Sequence, residues 1–346
     1  MRLNAFFIAA LTLAGCMCGQ FADACTRVLY SGTDSLFIVG RTLDWKTPIP
    51  TNLYVYPRGV EKQSSSLPGA IKWTSQYGAV YAVSYDCGVT EGMNECGLAV
   101  NGLFCSDAVY SNPENDGKPP MALSMFVAWL LDNNATTAQV CEVLEQQNFN
   151  LVESTFDNGT KTHLHWAVSD ATGETAIFEF YDGKVNIYRG RDLPVLANTP
   201  AFPDMRAIND YWVKVGGKNF VPGGVTSPDR FVRASYFDRS VEKTGDADLG
   251  ASIVRSIMAN VSVPYTYLVQ GEPHVSSTQW RSLSNLRDCY YYFDIVTNPG
   301  LFFIDLRKLD LYPGAPVLKL DTEKSSELVR CANHAMKVSK PFTPMY

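Results

Sequence analysis

Short runs rich in β-branched and aromatic residues dominate the start of the chain. Residues 25–30 and 35–41 form two such runs, separated by Ser31, Gly32, Thr33 and Asp34. Two strand-like runs across a polar turn of this kind predict a hairpin. Residues 79–85 and 98–104 read as further strands, and Glu91, Gly92, Met93, Asn94 and Glu95 between them read as a turn. The pattern then changes to a helical one over 122–131 and 137–146, with Thr136 or Thr137 as the cap of the second helix. Strands resume over 163–169, 175–181 and 184–188, with Gly173 and Gly183 in the turns. Ser227 as cap and Pro228 at the first helical position open a helix to about residue 243, and 248–261 reads as another. Three strands close the series over 280–286, 290–297 and 301–306. Strands, then helices, then strands, without strict alternation, predict an α+β layered fold rather than a doubly wound sheet. No repeat, heptad series or long Pro/Gly/Ser-rich linker interrupts 25–346, so that stretch reads as a single domain.

The first 24 residues follow a different pattern. Arg2 precedes an apolar run over 5–15 that is too short to span a bilayer. A positive start, a short apolar stretch and a small-residue exit read as an export signal. Ala22, Asp23 and Ala24 give the A-x-A form, which puts cleavage between Ala24 and Cys25. A second site competes: Leu13, Ala14, Gly15 and Cys16 have the form of a lipoprotein box, with cleavage and lipidation at Cys16. Either way the protein is expected to be exported, to the periplasm or beyond.

Composition narrows the classes. A chain of 346 residues, 46% hydrophobic and 12% aromatic, can bury a large core. The formal charge of −6, with no long basic run, gives no reason to expect nucleic acid or an anionic membrane surface as partner. Nine cysteines are present, and seven follow the leader. An odd number leaves one thiol over in an oxidising compartment. Cys87, Cys96 and Cys105 are evenly spaced but lack a C-x-x-C pair or a nearby His, so they read as buried small residues or one hairpin disulfide and not as a zinc site. No metal and no cofactor are expected.

Cys25 is the candidate for chemistry. A thiol is a poor nucleophile near neutral pH until a base takes its proton. An α-amine, with a reference pKa of about 7.7–8.0, is partly neutral there and can be that base. A Cys at a freed chain end therefore carries nucleophile and base together, and none of the four histidines, His163, His165, His274 and His334, is needed. The hairpin would bring Arg41 and Asp44, near the end of its second strand, beside Cys25. Arg41 would then favour thiolate, and Asp44 would orient the amine.

The segments Cys25-Thr26-Arg27, Arg41-Thr42-Leu43-Asp44-Trp45 and Gly92-Met93-Asn94-Glu95 followed by Gly97-Leu98 resemble the choloylglycine hydrolase family, which includes conjugated bile acid hydrolases and penicillin V acylases. Leu196-Ala197-Asn198-Thr199-Pro200 and Ser227-Pro228-Asp229-Arg230-Phe231-Val232-Arg233 agree with it in order. The resemblance implies a four-layer α/β/β/α sandwich of the N-terminal nucleophile hydrolase type. It implies Cys25 as nucleophile, with Arg41 and Asp44 flanking it and Arg230 completing the polar cluster. It further implies an oxyanion hole from the Asn198 side-chain amide and the backbone N–H around Phe104. The substrate would be a small amide with an apolar acyl group, taken against Trp45 and Phe104: a bile-acid conjugate, penicillin V or an acyl-homoserine lactone. Phe104 offers no side-chain hydrogen bond to a polar acyl group. Family members with an extra loop between the segments matching Asn198 and Arg230 assemble as tetramers; that stretch is shorter here, so a homo-oligomer is a looser expectation. The other reading is a lipid-anchored envelope binding protein of the same fold, cut before Cys16 and lacking a free Cys25 amine.

Overall fold

The predicted hairpin is the frame on which everything else is hung. Cys25–Ser31 pairs antiparallel with Phe37–Trp45, with Cys25 opposite Leu43 and Arg27 opposite Arg41. The computed structural model describes residues 25–110, 112–115, 117–153, 162–216, 220–270, 276–298 and 300–345. The leader and both candidate cleavage sites, after Ala24 and before Cys16, lie outside the described residues.

Seven strands make the first sheet, in the order Val195–Leu196, Cys25–Ser31, Phe37–Trp45, Ser277–Asn285, Tyr290–Ile295, Leu301–Asp305 and Arg330–Cys331. Nine make the second, in the order Lys184–Arg189, Thr175–Tyr181, Leu164–Ser169, Ala99–Phe104, Gly88–Asn94, Ala79–Ser84, Thr51–Tyr56, Leu318–Leu320 and Lys337–Val338. Helices α1 (Leu123–Asn133) and α2 (Thr137–Gln146) cover the outer face of the second sheet. Helices α4 (Ser227–Ser240) and α5 (Ala247–Val261) cover the outer face of the first, and α3 (Phe202–Gly216) packs on α4. The result is the α/β/β/α sandwich. Among the described residues no helix is long and apolar enough to cross a membrane.

Because both faces of the first sheet are covered, its strands do not alternate apolar with polar. Leu29, Val39 and Leu43 pack against Val80, Ala82 and Met93 of the second sheet, while Val28 and Ile38 pack among Val254, Ile257 and Met258 of α5. A side chain at Gly40 would meet Val254 and Met258 at 2.6 and 2.8 Å, so the glycine lets α5 lie close on the hairpin. The same strands bury Thr26, Arg27, Arg41 and Asp44, which must find partners inside.

The structure departs from the pattern in four places. Residues 91–94 are not a turn but the end of strand Gly88–Asn94, with Gly92 opposite both Tyr81 and Val100. Gly92 is there for close approach: a Cβ would lie 2.3 Å from the Val80 carbonyl oxygen. The turn follows at Asn94 to Leu98, with Gly97 at φ +76°. The cap of α4 is Thr226, whose hydroxyl accepts from Asp229 N, so Ser227 is already helical and the helix stops at Ser240. Helix α3 left no clear apolar stripe because only Phe202 and Met205 along it are buried. All seven described cysteines are free thiols, so no hairpin disulfide forms. As anticipated, Thr136 caps α2, in a reciprocal capping box with Gln139.

Candidate active site

Strand register alone puts Arg41 diagonal to Cys25 on one face of the hairpin, the face turned to the second sheet. Cys25 is only 4% exposed. Arg41 Nη2 lies 3.7 Å from its sulfur and donates to the Gly102 carbonyl at 2.9 Å. Trp280 lies beneath the guanidinium, 4.6 Å from its carbon to the ring centre. The sulfur also stands 4.0 Å from the Asp44 carbonyl oxygen.

Asn198 reaches Cys25 from the other side. Val195–Leu196 pairs with the Cys25 strand, Leu196 opposite Arg27, and the chain then carries Asn198 to the Cys25 end. The Cys25 nitrogen donates to Asn198 Oδ1, and Asn198 Nδ2 donates to the Phe104 carbonyl at 2.7 Å. Thr199 Oγ1 accepts from Ser106 N at 3.0 Å and lies 2.8 Å from Ser106 Oγ, so three bonds clasp the Asn198 segment to the residues at and just beyond the end of the Ala99–Phe104 strand.

Arg230, in the first turn of α4, completes the enclosure from the helical face. Nη1 donates to the Cys25 carbonyl at 2.7 Å and to Thr26 Oγ1, Nη2 donates to Asn198 Oδ1 at 2.9 Å, and Nε donates to the Val225 carbonyl at 3.0 Å. Asp44 Oδ2 stands 3.9 Å from Arg230 Nη1 and accepts from Thr42 Oγ1 at 3.2 Å. The Cys25 nitrogen thus has Asn198 as its partner in this structure, and the Asp44 carboxylate serves Arg230, Thr42 and Thr278.

Burial dominates the electrostatics. It pushes the Cys25 thiol above its ordinary value; Arg41 opposes the shift, Asp44 adds to it, and Arg230 opposes it. Burial likewise raises the Asp44 carboxyl to about 6, against the pull of Arg230, Thr278, Arg41 and Thr42. Burial lowers Arg230, with Asp44 and the Cys25 sulfur holding it up. A neutral thiol among buried cations needs a nearby base to release its proton.

All five polar residues singled out in the sequence, Cys25, Arg41, Asp44, Asn198 and Arg230, meet here. Trp45 and Phe104 meet as well: their half-buried rings form an edge-to-face pair with centres 5.6 Å apart. Sequence reasoning missed Glu91. Its carboxylate faces Arg41 Nε at 3.4 Å and accepts from Tyr291 OH at 2.6 Å, Asn101 Nδ2 at 3.2 Å and Ser282 Oγ. Arg27, opposite Arg41 in the hairpin, was missed too. It is fully buried, bonded to Ser169 and Thr175 of the second sheet, and burial lowers it to about 9. The one signal available was a charged residue within a strand that is otherwise apolar.

Known proteins share this arrangement of chain. The sequence is 30% identical to the penicillin V acylase of Pectobacterium atrosepticum over 97% of this chain and 96% of that one. It is 26% identical to a bile salt hydrolase/transferase of Clostridium perfringens, covering 83% of this chain and 94% of the relative. The solved structure of penicillin V acylase from Agrobacterium tumefaciens superimposes with a TM-score of 0.84 at 38% identity, over 93% of this chain and 99% of that one. The family described as linear amide C-N hydrolases, choloylglycine hydrolase family, matches residues 25–329. A match of that extent, on a sandwich of the same topology, means that the chain belongs to the choloylglycine hydrolase family and is an amidohydrolase acting on linear amides.

Proposed function

We propose that the protein is exported, loses residues 1–24, and hydrolyses amides through Cys25 as an N-terminal nucleophile. The observation that carries this reading is the pair of contacts on one residue: a cation 3.7 Å from the Cys25 sulfur and the Asn198 Oδ1 acceptor on the Cys25 nitrogen. With the peptide link to Ala24 cut, that nitrogen becomes an amine on the same residue as the thiol it deprotonates. The sulfur attacks the amide carbon and a C–S bond forms. The C–N bond then breaks, and the thiol proton leaves on the released amine by way of the α-amine. Water then adds to the thioester, the C–S bond breaks, and the free acid departs.

Asn198 Nδ2 has two hydrogens, one of them committed to the Phe104 carbonyl. The other, with the backbone N–H around Phe104, is the proposed pair of donors for the tetrahedral oxyanion. Arg41 holds negative charge at sulfur. Arg230 fixes Asn198 and the Cys25 carbonyl, and Asp44 balances Arg230. The apolar faces of Trp45 and Phe104 favour an apolar acyl group, which the name of the Pectobacterium relative fits with penicillin V. Bile-acid conjugates and acyl-homoserine lactones carry the same kind of amide and are the alternatives.

Intact mass and N-terminal sequencing of the exported protein test the first step, with Cys25 expected as residue one. A lipidated Cys16 in the mature protein would instead favour the anchored binding reading. Penicillin V, a glycine-conjugated bile acid and an acyl-homoserine lactone are then offered to the mature enzyme, with release of the free acid followed by mass spectrometry. Turnover is expected with penicillin V and is expected to vanish in a folded Cys25→Ala variant. Full activity in that variant would end the reading.

A further inference from the structure

Outside the candidate active site, one cluster has the chemistry of a ligand set. Cys105, His165 and Glu179 are fully buried, and one donor atom from each, a sulfur, an imidazole nitrogen and a carboxylate oxygen, lies within 4.8 Å of the other two. They come from the residue after Phe104 and from the neighbouring strands Leu164–Ser169 and Thr175–Tyr181.

The carboxylate is held in place from behind. Phe202 N, at the start of α3, donates to Glu179 Oε1 and Oε2 at 3.2 and 3.1 Å, and His165 Nδ1 lies 2.8 Å from Oε1. The other ring nitrogen, His165 Nε2, is buried without a hydrogen-bond partner. A buried polar atom left alone costs free energy that a bound group would recover.

We propose that Cys105, His165 and Glu179 form a buried structural site for one divalent transition-metal ion of the zinc class. A thiolate, an imidazole and a carboxylate together select a borderline metal such as zinc over magnesium or calcium. The Glu179 bonds to Phe202 N are the outer contacts that such a site uses to orient its ligands. No ligand position faces solvent, so the ion fastens structure and does not meet substrate. It ties the residue beside Phe104 to the start of α3, four residues beyond Asn198. Uptake displaces the Cys105 thiol proton to solvent and accompanies folding. This inference is independent of the amidase reading, since every residue in it lies outside the Cys25 cluster.

The test uses the whole protein, produced with added zinc, desalted over a chelating resin and measured by elemental mass spectrometry. About one zinc ion per chain is expected, with one sulfur neighbour at about 2.3 Å in its X-ray absorption spectrum. Cys105→Ser and Glu179→Gln should each lose the ion. If a variant does not fold, cobalt refolded into the wild-type chain gives the same answer through a sulfur-to-metal absorption band. Wild-type protein that stays metal-free after refolding with zinc overturns the proposal. So does a bound ion without a sulfur neighbour, or one that a folded Cys105→Ser variant retains.

Discussion

Arg41 Nε lies 3.4 Å from Glu91 Oε2, and neither side chain reaches solvent: they are 2% and 0% exposed. The pair is the floor beneath the Cys25 sulfur. Three further donors, from Tyr291, Ser282 and Asn101, complete the Glu91 carboxylate, so the guanidinium is held in one place by a network and not by one contact.

Breaking one side of that pair should therefore be expensive. Glu91→Gln leaves a buried cation without its countercharge and is expected to cost about 3–5 kcal/mol, read from urea unfolding. Replacing both residues by apolar ones of similar volume should recover most of that loss. A double variant as unstable as Glu91→Gln alone would show that the pair does not act as a unit.

Asp44 makes stability depend on pH. Its carboxyl titrates at about 6 in the folded chain against an ordinary value of 3.8, so the folded state binds the proton more tightly than the unfolded one. Its contribution to stability is therefore complete below about pH 4 and is lost as pH rises through about 6, a loss of about 3 kcal/mol. Asp44→Asn removes that dependence. Measured as the difference between wild type and variant, stability should fall between pH 4 and 6 and be level on either side; a difference that rises with pH would contradict the assignment.

The Cys25 thiol is raised by burial, and the largest effect working against that shift is Arg41. Arg41→Met combined with Glu91→Gln removes the cation together with the carboxylate it faces. Alkylation of Cys25 by iodoacetamide, followed on its own peptide by mass spectrometry, should slow about tenfold at fixed pH for each unit by which the thiol rises. An unchanged rate would mean that Arg41 does not act on the sulfur.

Gly92 offers a purely steric test. Gly92→Ala pushes a methyl group to 2.3 Å from the Val80 carbonyl oxygen and to 2.9 Å from Leu131, and is expected to lower stability by about 1–3 kcal/mol or more. Gly223→Ala, where nothing lies within 4 Å, should change it by less than about 0.5 kcal/mol. Thermal unfolding of the two variants side by side measures the contrast.

How far these relationships could be read beforehand depended on distance along the chain. The hairpin announced itself, and Arg41 came with Cys25 because 16 residues and one turn separate them. Asn198 stands 173 residues from Cys25 and Arg230 stands 205, and no periodicity spans such gaps; they were legible only through ordered resemblance. Glu91 hid in a Gly-Met-Asn run that has the composition of a turn, because local propensity knows nothing of the two strands that flank Gly92. Helix α3 was invisible because its exposed face mixes Tyr211, Val213 and Val215 with Asp204, Arg206 and Lys214, so polarity does not mark off its short buried side. Cys105, read only against Cys87 and Cys96, found its neighbours on strands 60 and 74 residues away.

The grip of Arg230 on the first strand has a consequence for maturation. Every bond it makes there lands on the Cys25 carbonyl or on Thr26, on the downstream side of the Ala24–Cys25 link. Scission of that link would sever none of them, and the severed nitrogen would keep Asn198 as its neighbour. On the proposed processing, removal of the leader would act as a chemical unmasking, with no refolding of the residues gathered around Cys25.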